Sequence, residues 1–374
     1  MAVERHDLIK DSFASVEPMA DRVAADFYAR MFVEAPDLRA LFPAAMDVQR
    51  NRLFGALVRI VHGWDRPDSM TGFLEQLGRD HRKFGVKAGH YEAMGRAFLW
   101  SLKRHAGPAV WTPEVEAAWV AAFSDIAITM IAAARSAADQ TPDWWLAEVV
   151  HHELRGPDTA VMTLRPDQEL PFQAGQYVSV ETPWWPRVWR YYSIANAPRP
   201  DRLIEVHVKK IDAGWVSTAL VRQAGLGDVV RLGHPMGTMI ADRTSTRDML
   251  MLAGGTGLGP MKAILADMAR WNWYRRVFLV MGARHSEEFY DLPALNAFAR
   301  EHEWLTVVPA VSEDANYPGE RGLAVDVALR HGEWTDHDVL IAGSGAMIRG
   351  SISRLLDADV PLLRIKFDDF GDAN

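Results

Sequence analysis

Three groups of residues in this chain are of types and spacings that could do chemistry. The run Gly254-Gly255-Thr256-Gly257-Leu258-Gly259-Pro260 joins an apolar strand pattern to a helix pattern. Glycine there lets backbone approach a pyrophosphate, and the free amides of a helix start attract its charge. Earlier, Arg190-Tyr191-Tyr192-Ser193 offers a guanidinium for a phosphate, a ring to stack on a planar heterocycle and a hydroxyl to bond its edge. Gly214-Trp215-Val216-Ser217 offers a second glycine turn and helix start that could hold another phosphate. The third group centres on His81, on the apolar face of a helix pattern with Leu74, Leu77 and Phe84. A neutral imidazole in such surroundings can give a lone pair to a metal. Taken singly, each has an ordinary reading: a tight strand-to-helix turn, a surface ion pair for Arg190, a half-core barrel residue for Tyr192, a satisfied core histidine for His81.

The elements that must position these groups fall into three styles. Val16, Met19, Val23, Phe27 and Met31 recur at helical spacing behind a cap at Ser15. Helical patterns continue through Leu53, Leu57, Ile60, Val61 and Trp64, then Phe73 to His81, Tyr91 to Leu102, and Ala118 to Met130, with no strand before about residue 145. Short alternating runs follow at 147–152, 159–164, 177–181, 204–209 and 229–232, separated by turn residues, which is the pattern of an antiparallel barrel. From Arg247 strands alternate with helices, at 249–253, 277–281 and 339–342, which argues a parallel α/β sheet. The expectation is a multidomain α, β and α/β chain: an all-α domain over 1–139, a β-barrel over 145–245 and a nucleotide-binding α/β domain over 246–374.

Composition narrows the chemistry. Among 374 residues there is no cysteine, so disulfides, thiolate nucleophiles, iron–sulfur clusters and cysteine zinc sites are excluded. The formal net charge of −8 gives no basic stripe for nucleic acid and no polybasic membrane patch. The charged N-terminus does not read as a signal peptide. The apolar stretch 126–138 is interrupted by Arg135 and is too short to span a bilayer. The expectation is a cytoplasmic monomer acting on small molecules, with no transmembrane segment and no nucleic-acid partner.

The three glycine, tyrosine and serine motifs, in this order, resemble the ferredoxin–NADP reductase superfamily from about Trp145 onward. The resemblance implies that Arg190, Tyr192 and Ser193 bind FAD, that Gly214, Val216 and Ser217 hold its pyrophosphate, and that Gly254, Gly255, Thr256, Gly257, Gly259 and Pro260 hold NADH or NADPH. Gly343-Ser344-Gly345-Ala346-Met347 resembles a later segment beside the nicotinamide, with Ala342 and Ser344 in place of that family's cysteine and proline. Phe370 resembles the aromatic that covers the flavin. Arg284 and His285 follow a strand where a 2′-phosphate would lie. Gly282-Ala283-Arg284 with Tyr290-Asp291 is similar to NADH-using flavin reductases, which tilts the expectation to NADH.

The first third resembles the globin domain of the flavohaemoglobins, through Phe27-Tyr28, Pro36-Asp37-Leu38, Leu41-Phe42, Gln49-Arg50-Asn51-Arg52-Leu53, His81-Arg82-Lys83-Phe84 and Tyr91 to Gly95. That resemblance implies haem b with His81 as its proximal iron ligand and Tyr28 and Gln49 as a distal pair. Phe42 would pack on the haem, Leu53 would cap the distal pocket and Tyr91 would bond the proximal histidine. Two departures stand out: Ala134, Arg135 and Ser136 occupy the neighbourhood of the family's proximal glutamate, and Asp80 replaces a basic residue before the proximal histidine. The glutamate polarises the histidine and raises electron density on iron, so that tuning does not carry over.

The activity implied is that of a nitric oxide dioxygenase: NAD(P)H reduces FAD, FAD reduces haem, and oxygenated ferrous haem converts nitric oxide to nitrate. Three other readings remain: an NAD(P)H-dependent haem reductase or peroxidase acting on hydroperoxides, an oxygen-sensing or storage globin with its own reductase, and a flavin reductase without haem.

Overall fold

The computed structural model describes residues 2–63 and 67–368. It divides into two compact units, 1–144 and 145–374.

The first unit is helical: α1 Ala2–Val16, α2 Ala20–Glu34, α3 Asp47–Gly63, α4 Pro67–His81, α5 His90–Ala106 and α6 Pro113–Ala138. The helix α1 is absent from the sequence reading, and Ser15 does not cap α2. It lies in the last turn of α1, where its hydroxyl donates to the Ser12 carbonyl at 2.6 Å, and α2 starts at Met19 with no side-chain cap. A Ser–x–x–Pro sequence is compatible with either helix end. Trp64 lies outside the described residues.

α6 begins with a built cap: Thr112 accepts from the Val115 amide at 3.3 Å, and Pro113 occupies the first helical position. It is longer than its apolar centre suggests. By length and composition alone it is the one helix among the described residues long and apolar enough to cross a membrane, a test that the core helix of a soluble protein also passes. Its inward face, Val115, Ala118, Trp119 and Ala122, packs in the core of this unit with Phe13, Phe98 and Met31. The α4–α6 crossing is close. A Cβ on Gly78 would lie 2.3 Å from the Met130 carbonyl oxygen, so glycine is what allows α4 to deliver His81 at its C-terminal end.

The second unit holds two six-stranded sheets. β1 Trp145–Leu154, β2 Thr159–Pro166, β3 Tyr177–Glu181, β4 Trp189–Ser193, β5 Ile204–Lys209 and β6 Val229–Leu232 form an antiparallel sheet in the order β4-β3-β6-β1-β2-β5, with α7 Trp215–Arg222 between β5 and β6. The two edge strands meet through the bridge Ile194–Val206, which closes the sheet on itself as a barrel. Alternate residues such as Val178, Val180, Val206 and Val208 fill its interior.

The other sheet is parallel: β7 Met249–Gly254, β8 Val277–Ala283, β9 Leu305–Val311, β10 Glu320–Arg321, β11 Asp338–Ala342 and β12 Ile365–Phe367, in the order β10-β9-β8-β7-β11-β12. α8 Leu258–Met268, α9 Leu292–Glu301, α10 Ala324–His331 and α11 Gly345–Asp357 connect them. β7 reads as an unbroken apolar run because both of its faces are covered, Met249 and Met251 on one side and Leu250 and Leu252 on the other. β9, β10 and β12 escape the sequence reading; β10 is only two residues long and β12 three.

Gly78→Ala should lower the thermal midpoint of the helical unit, by about 1–3 kcal/mol of stability, because the added methyl meets backbone that cannot move aside. Calorimetry of the variant against the parent checks this, and an unchanged midpoint would mean the crossing relaxes freely.

Candidate functional site

In the helical unit the decisive bond is local. His81 Nδ1 lies 2.7 Å from the carbonyl oxygen of Leu77, one turn back in α4. A carbonyl only accepts, so Nδ1 carries the proton and Nε2 keeps its lone pair. Burial pushes the His81 imidazole below its ordinary range, with Asp80 opposing only in part. A neutral imidazole with a free Nε2 and a fixed tautomer is the form that binds a metal.

The flanking residues hold this segment in place. Lys83 Nζ donates to Asp80 Oδ1 at 2.6 Å and both side chains are almost wholly buried. Arg82 reaches Thr141 and Asp143, at 2.7 Å to the Thr141 carbonyl and 2.9 Å to the Asp143 carboxylate. Gly85, at φ 75°, ends the turn in the left-handed region that favours glycine. Asp80 is thus turned into the protein as a partner for Lys83.

Tyr91 sits in an apolar cluster with Ile60, Met70, Leu74, Ala127 and Met130, and burial pushes its phenol up to about 12. Its hydroxyl makes no hydrogen bond to His81, whose Nδ1 is taken by Leu77. Ala127 and Met130 are the α6 residues buried in this cluster.

Tyr28, on α2, is buried, and burial pushes its hydroxyl far above the ordinary phenol range. Its hydroxyl lies 3.5 Å from the Gln49 carbonyl oxygen, the outer limit of a hydrogen bond, and a hydrogen bond from the Gln49 side chain offsets burial only in part, so the O–H is protonated and weakly held. Phe42 meets the Tyr28 ring edge-on at 5.4 Å, and Phe32 packs against both. Gln49 and Leu53 lie one turn apart on α3, both half-buried. Beside them the buried Arg50 Nε has no hydrogen-bond partner. A free imidazole lone pair, an aromatic wall, a weakly held phenol and a guanidinium that keeps a free Nε while its Nη1 lies 3.5 Å from Asp47 are groups that suit haem with its propionates.

In the second unit a groove of about 880 Å³ runs between the barrel and the C-terminal ends of the parallel strands. Tyr192 and Ser193 of β4 and Ser217 of α7 line one side; Gly254, Gly255, Thr256, Gly257 and the 343–347 turn line the other. The order β8-β7-β11 puts the chain reversal between β7 and β11, which is where open α/β sheets bind ligands. At that point a Cβ on Gly257 would lie 2.2 Å from the Ala342 carbonyl oxygen, so the two crossover turns touch backbone to backbone. Gly255, at φ 53°, has open space where a side chain would point. That vacancy beside the α8 amides is a cradle for a diphosphate.

Not every motif residue faces the groove. Val216, Gly259 and Pro260 are buried packing positions. Gly214 caps α7, and the Ser217 hydroxyl ties that loop by donating to the Gly214 carbonyl and accepting from the Ile211 amide. Arg190 donates to the Trp189 carbonyl at 3.0 Å and is absent from the groove lining. Phe370 lies outside the described residues. Tyr290 and Asp291 turn away from the groove, toward His207 and Lys262. The acids that do line it after β8 and β9 are Glu288 and Glu313, with Arg284 held 3.6 Å from Glu288. Sequence reading missed His207, which lines the groove; its only signal was a polar residue within an alternating strand.

The globin family model matches residues 25–130, the oxidoreductase FAD-binding domain 147–240 and the oxidoreductase NAD-binding domain 251–352. The chain is similar to the flavohemoprotein of Bacillus subtilis (strain 168), 26% identical over 91% of this chain and 90% of the relative. The flavohemoprotein of Rhizobium meliloti (strain 1021) is 26% identical over 98% and 97%. In fold it resembles the flavohemoglobin from Malassezia yamatoensis solved with bound FAD and heme, with a TM-score of 0.81, 19% identity and 98% of each chain covered. A globin, an FAD-binding and an NAD-binding oxidoreductase domain in one polypeptide, matched along nearly its whole length by relatives of that composition, place the chain in the flavohaemoglobin family, as an NAD(P)H-dependent oxidoreductase with haem, FAD and a nicotinamide nucleotide as its cofactors.

Proposed function

We propose that the chain is a nitric oxide dioxygenase, which uses electrons from NAD(P)H to turn nitric oxide and dioxygen into nitrate. The observation that carries this reading is the Tyr28 hydroxyl, buried, protonated and without a firm acceptor. Dioxygen gains partial negative charge as it reacts, and a phenol O–H aimed at that charge stabilises it. When bound, NAD(P)H would supply a hydride, FAD would accept it and pass its two electrons on singly, and haem iron would supply the centre where the gases combine. The protein's own part is to hold the imidazole of His81 neutral and oriented, to surround the site with Phe42 and Leu53, and to keep a donor ready at Tyr28.

The hydroperoxide reading has less support. Peroxidase-type bond cleavage gains from a proximal histidine pushed toward the imidazolate by a carboxylate. Here the partner of His81 Nδ1 is a neutral carbonyl, and the cluster around Tyr91 is apolar. A pure storage role would leave the lined groove of the second unit serving only to keep iron ferrous. We place the enzyme in the cytoplasm, where nicotinamide nucleotides are supplied, and take it to act as a monomer.

NADH is the expected donor. Glu288 and Glu313 line the groove at the ends of β8 and β9, where carboxylates repel a 2′-phosphate and suit a ribose diol. NADH should exceed NADPH in kcat/KM by roughly tenfold, the worth of one unfavourable charge contact; equal values would show that Arg284 offsets the acids.

Nitric oxide consumption with NADH in air should yield nitrate in step with the gas removed. Tyr28→Phe should lower that turnover by roughly ten- to a hundredfold, the worth of one charge-assisted hydrogen bond. Loss of nitric oxide without nitrate, or full turnover in the variant, would end the reading. His81→Ala should abolish the Soret band of the purified protein while reduction of FAD by NADH continues, and a retained Soret band would move the iron ligand elsewhere.

A further inference from the structure

β5 has an outer face that barrel packing does not explain. Ile204, Val206 and Val208 are buried inside the barrel, so by the period of two Glu205, His207 and Lys209 point the other way. There they meet the parallel-sheet half residue for residue. Lys209 Nζ lies 3.4 Å from Glu288, His207 Nδ1 2.7 Å from the Tyr290 hydroxyl, and Glu205 Oε1 3.3 Å from Lys262 Nζ. Lys262 also contacts Asp291 at 2.5 Å, and Arg155 of the barrel approaches the same carboxylate at 3.6 Å. The partners from the parallel-sheet half come from the turn after β8 and from α8, directly behind the glycine-rich loop, while Lys209 also lies 3.9 Å from Asp158 of the barrel.

The network has a determined proton arrangement. His207 Nε2 lies 2.9 Å from Glu205 Oε1. Burial pushes the Glu205 carboxyl up, but the His207 hydrogen bond and the Lys262 ammonium together bring it down to about 2. An ionised carboxylate only accepts, so Nε2 carries the imidazole proton and Nδ1 must take the O–H of Tyr290. The His207 side chain is 1% exposed, so its nitrogens have no water to turn to. Breaking either bond would leave a polar group stranded, which makes the arrangement stiff.

Its position matters more than its strength. The Ala195 amide, two residues past Ser193, donates to the Glu205 carbonyl at 2.7 Å. A Cβ on Gly259 at the start of α8 would lie 3.3 Å from the Ala195 Cβ and 3.7 Å from His207 Nδ1. The strand pair that carries Tyr192 and Ser193 therefore rests on the helix that follows the nucleotide turn, at the spot where His207 sits.

We propose that Tyr290, His207 and Glu205, braced by Lys262 and Asp291, are positioning residues that set the separation between the flavin side and the nucleotide side of the groove, and thereby the rate of hydride transfer. Hydride transfer is steep in donor–acceptor distance, and a displacement near 1 Å costs on the order of a hundredfold. A single buried phenol–imidazole bond fixes that distance from behind, without a side chain in the path of the hydride. The proposal concerns the nicotinamide-to-flavin step alone and holds whatever gas the haem handles.

Tyr290→Phe tests it with little change in shape, since the ring retains its edge contact with His207, 5.4 Å between centroids. Anaerobic stopped-flow reduction of bound FAD by NADH should show the limiting rate at saturating NADH falling roughly tenfold, with FAD content and the NADH dissociation constant unchanged. His207→Gln should do the same, and the double variant should be no slower than the slower single one, because both break one bond. Amide hydrogen exchange of the FAD-loaded enzyme without nucleotide should rise in residues 205–209 and 258–262 of Tyr290→Phe and stay unchanged in β1 and β6. An unchanged limiting rate with weaker NADH binding would overturn the proposal in favour of a nucleotide contact. An unchanged limiting rate with loss of FAD would overturn it in favour of a flavin contact, and additive losses in the double variant would show that the two residues act separately.

Discussion

The helical unit depends on a bond that any helix could make and few exploit: an imidazole donating back to the carbonyl one turn earlier. That bond spends the Nδ1 proton on Leu77 and leaves Nε2 as the only free nitrogen, the form in which an imidazole can accept a metal. Much of the surrounding structure serves to keep it so. Glycine at 78 lets α4 lie against α6, Gly85 stops the helix just beyond the histidine, and the buried Asp80–Lys83 pair holds the final turn. Apolar neighbours keep the ring neutral by denying its charged form water.

The second unit meets a related demand with backbone rather than side chains. Two planar cofactors must lie close together in a groove whose walls are a barrel and a parallel sheet. The barrel closes through the β4–β5 bridge, and β4 carries the residues of the flavin motif. The sheet contributes two crossover turns pressed so closely that a single Cβ would separate them. Charges are kept out of the barrel interior and gathered on the outer face of β5, where each has a partner. The polar groups of this unit thus join its halves, and its apolar groups build each half.

Much of this was legible from residue order alone. Helical spacing gave α2 to α6, and the alternation of apolar with polar or small residues gave β3, β5 and β6 with their observed ends, although only β6 alternates between buried and exposed. α1 was not legible, since its apolar residues Ile9, Phe13 and Val16 share a short segment with many charges. The short strands β10 and β12 carry too few residues for any period to show, and only their neighbours make them strands. Near the nucleotide groove Tyr290 and Asp291 entered the sequence reading only through a likeness to NADH-using flavin reductases, and packing brings them to His207 and Lys262.

By itself, then, the sequence determined the order of a helical, a barrel and a parallel-sheet segment, the absence of thiol chemistry, and the glycines and histidine that suit phosphate and metal. These follow from local properties: side-chain chemistry, backbone freedom and periodic burial. Tertiary structure alone decided that the His81 ring is denied water, that the Tyr28 hydroxyl is buried and weakly held, that Arg190 is absent from the groove lining, and that Glu205, His207 and Tyr290 form one chain of hydrogen bonds. Each of these depends on groups up to 85 residues apart, as Glu205 and Tyr290 are, and on which of them is denied water. Solvent exclusion is a property of the packed whole, and no residue carries it in its own chemistry.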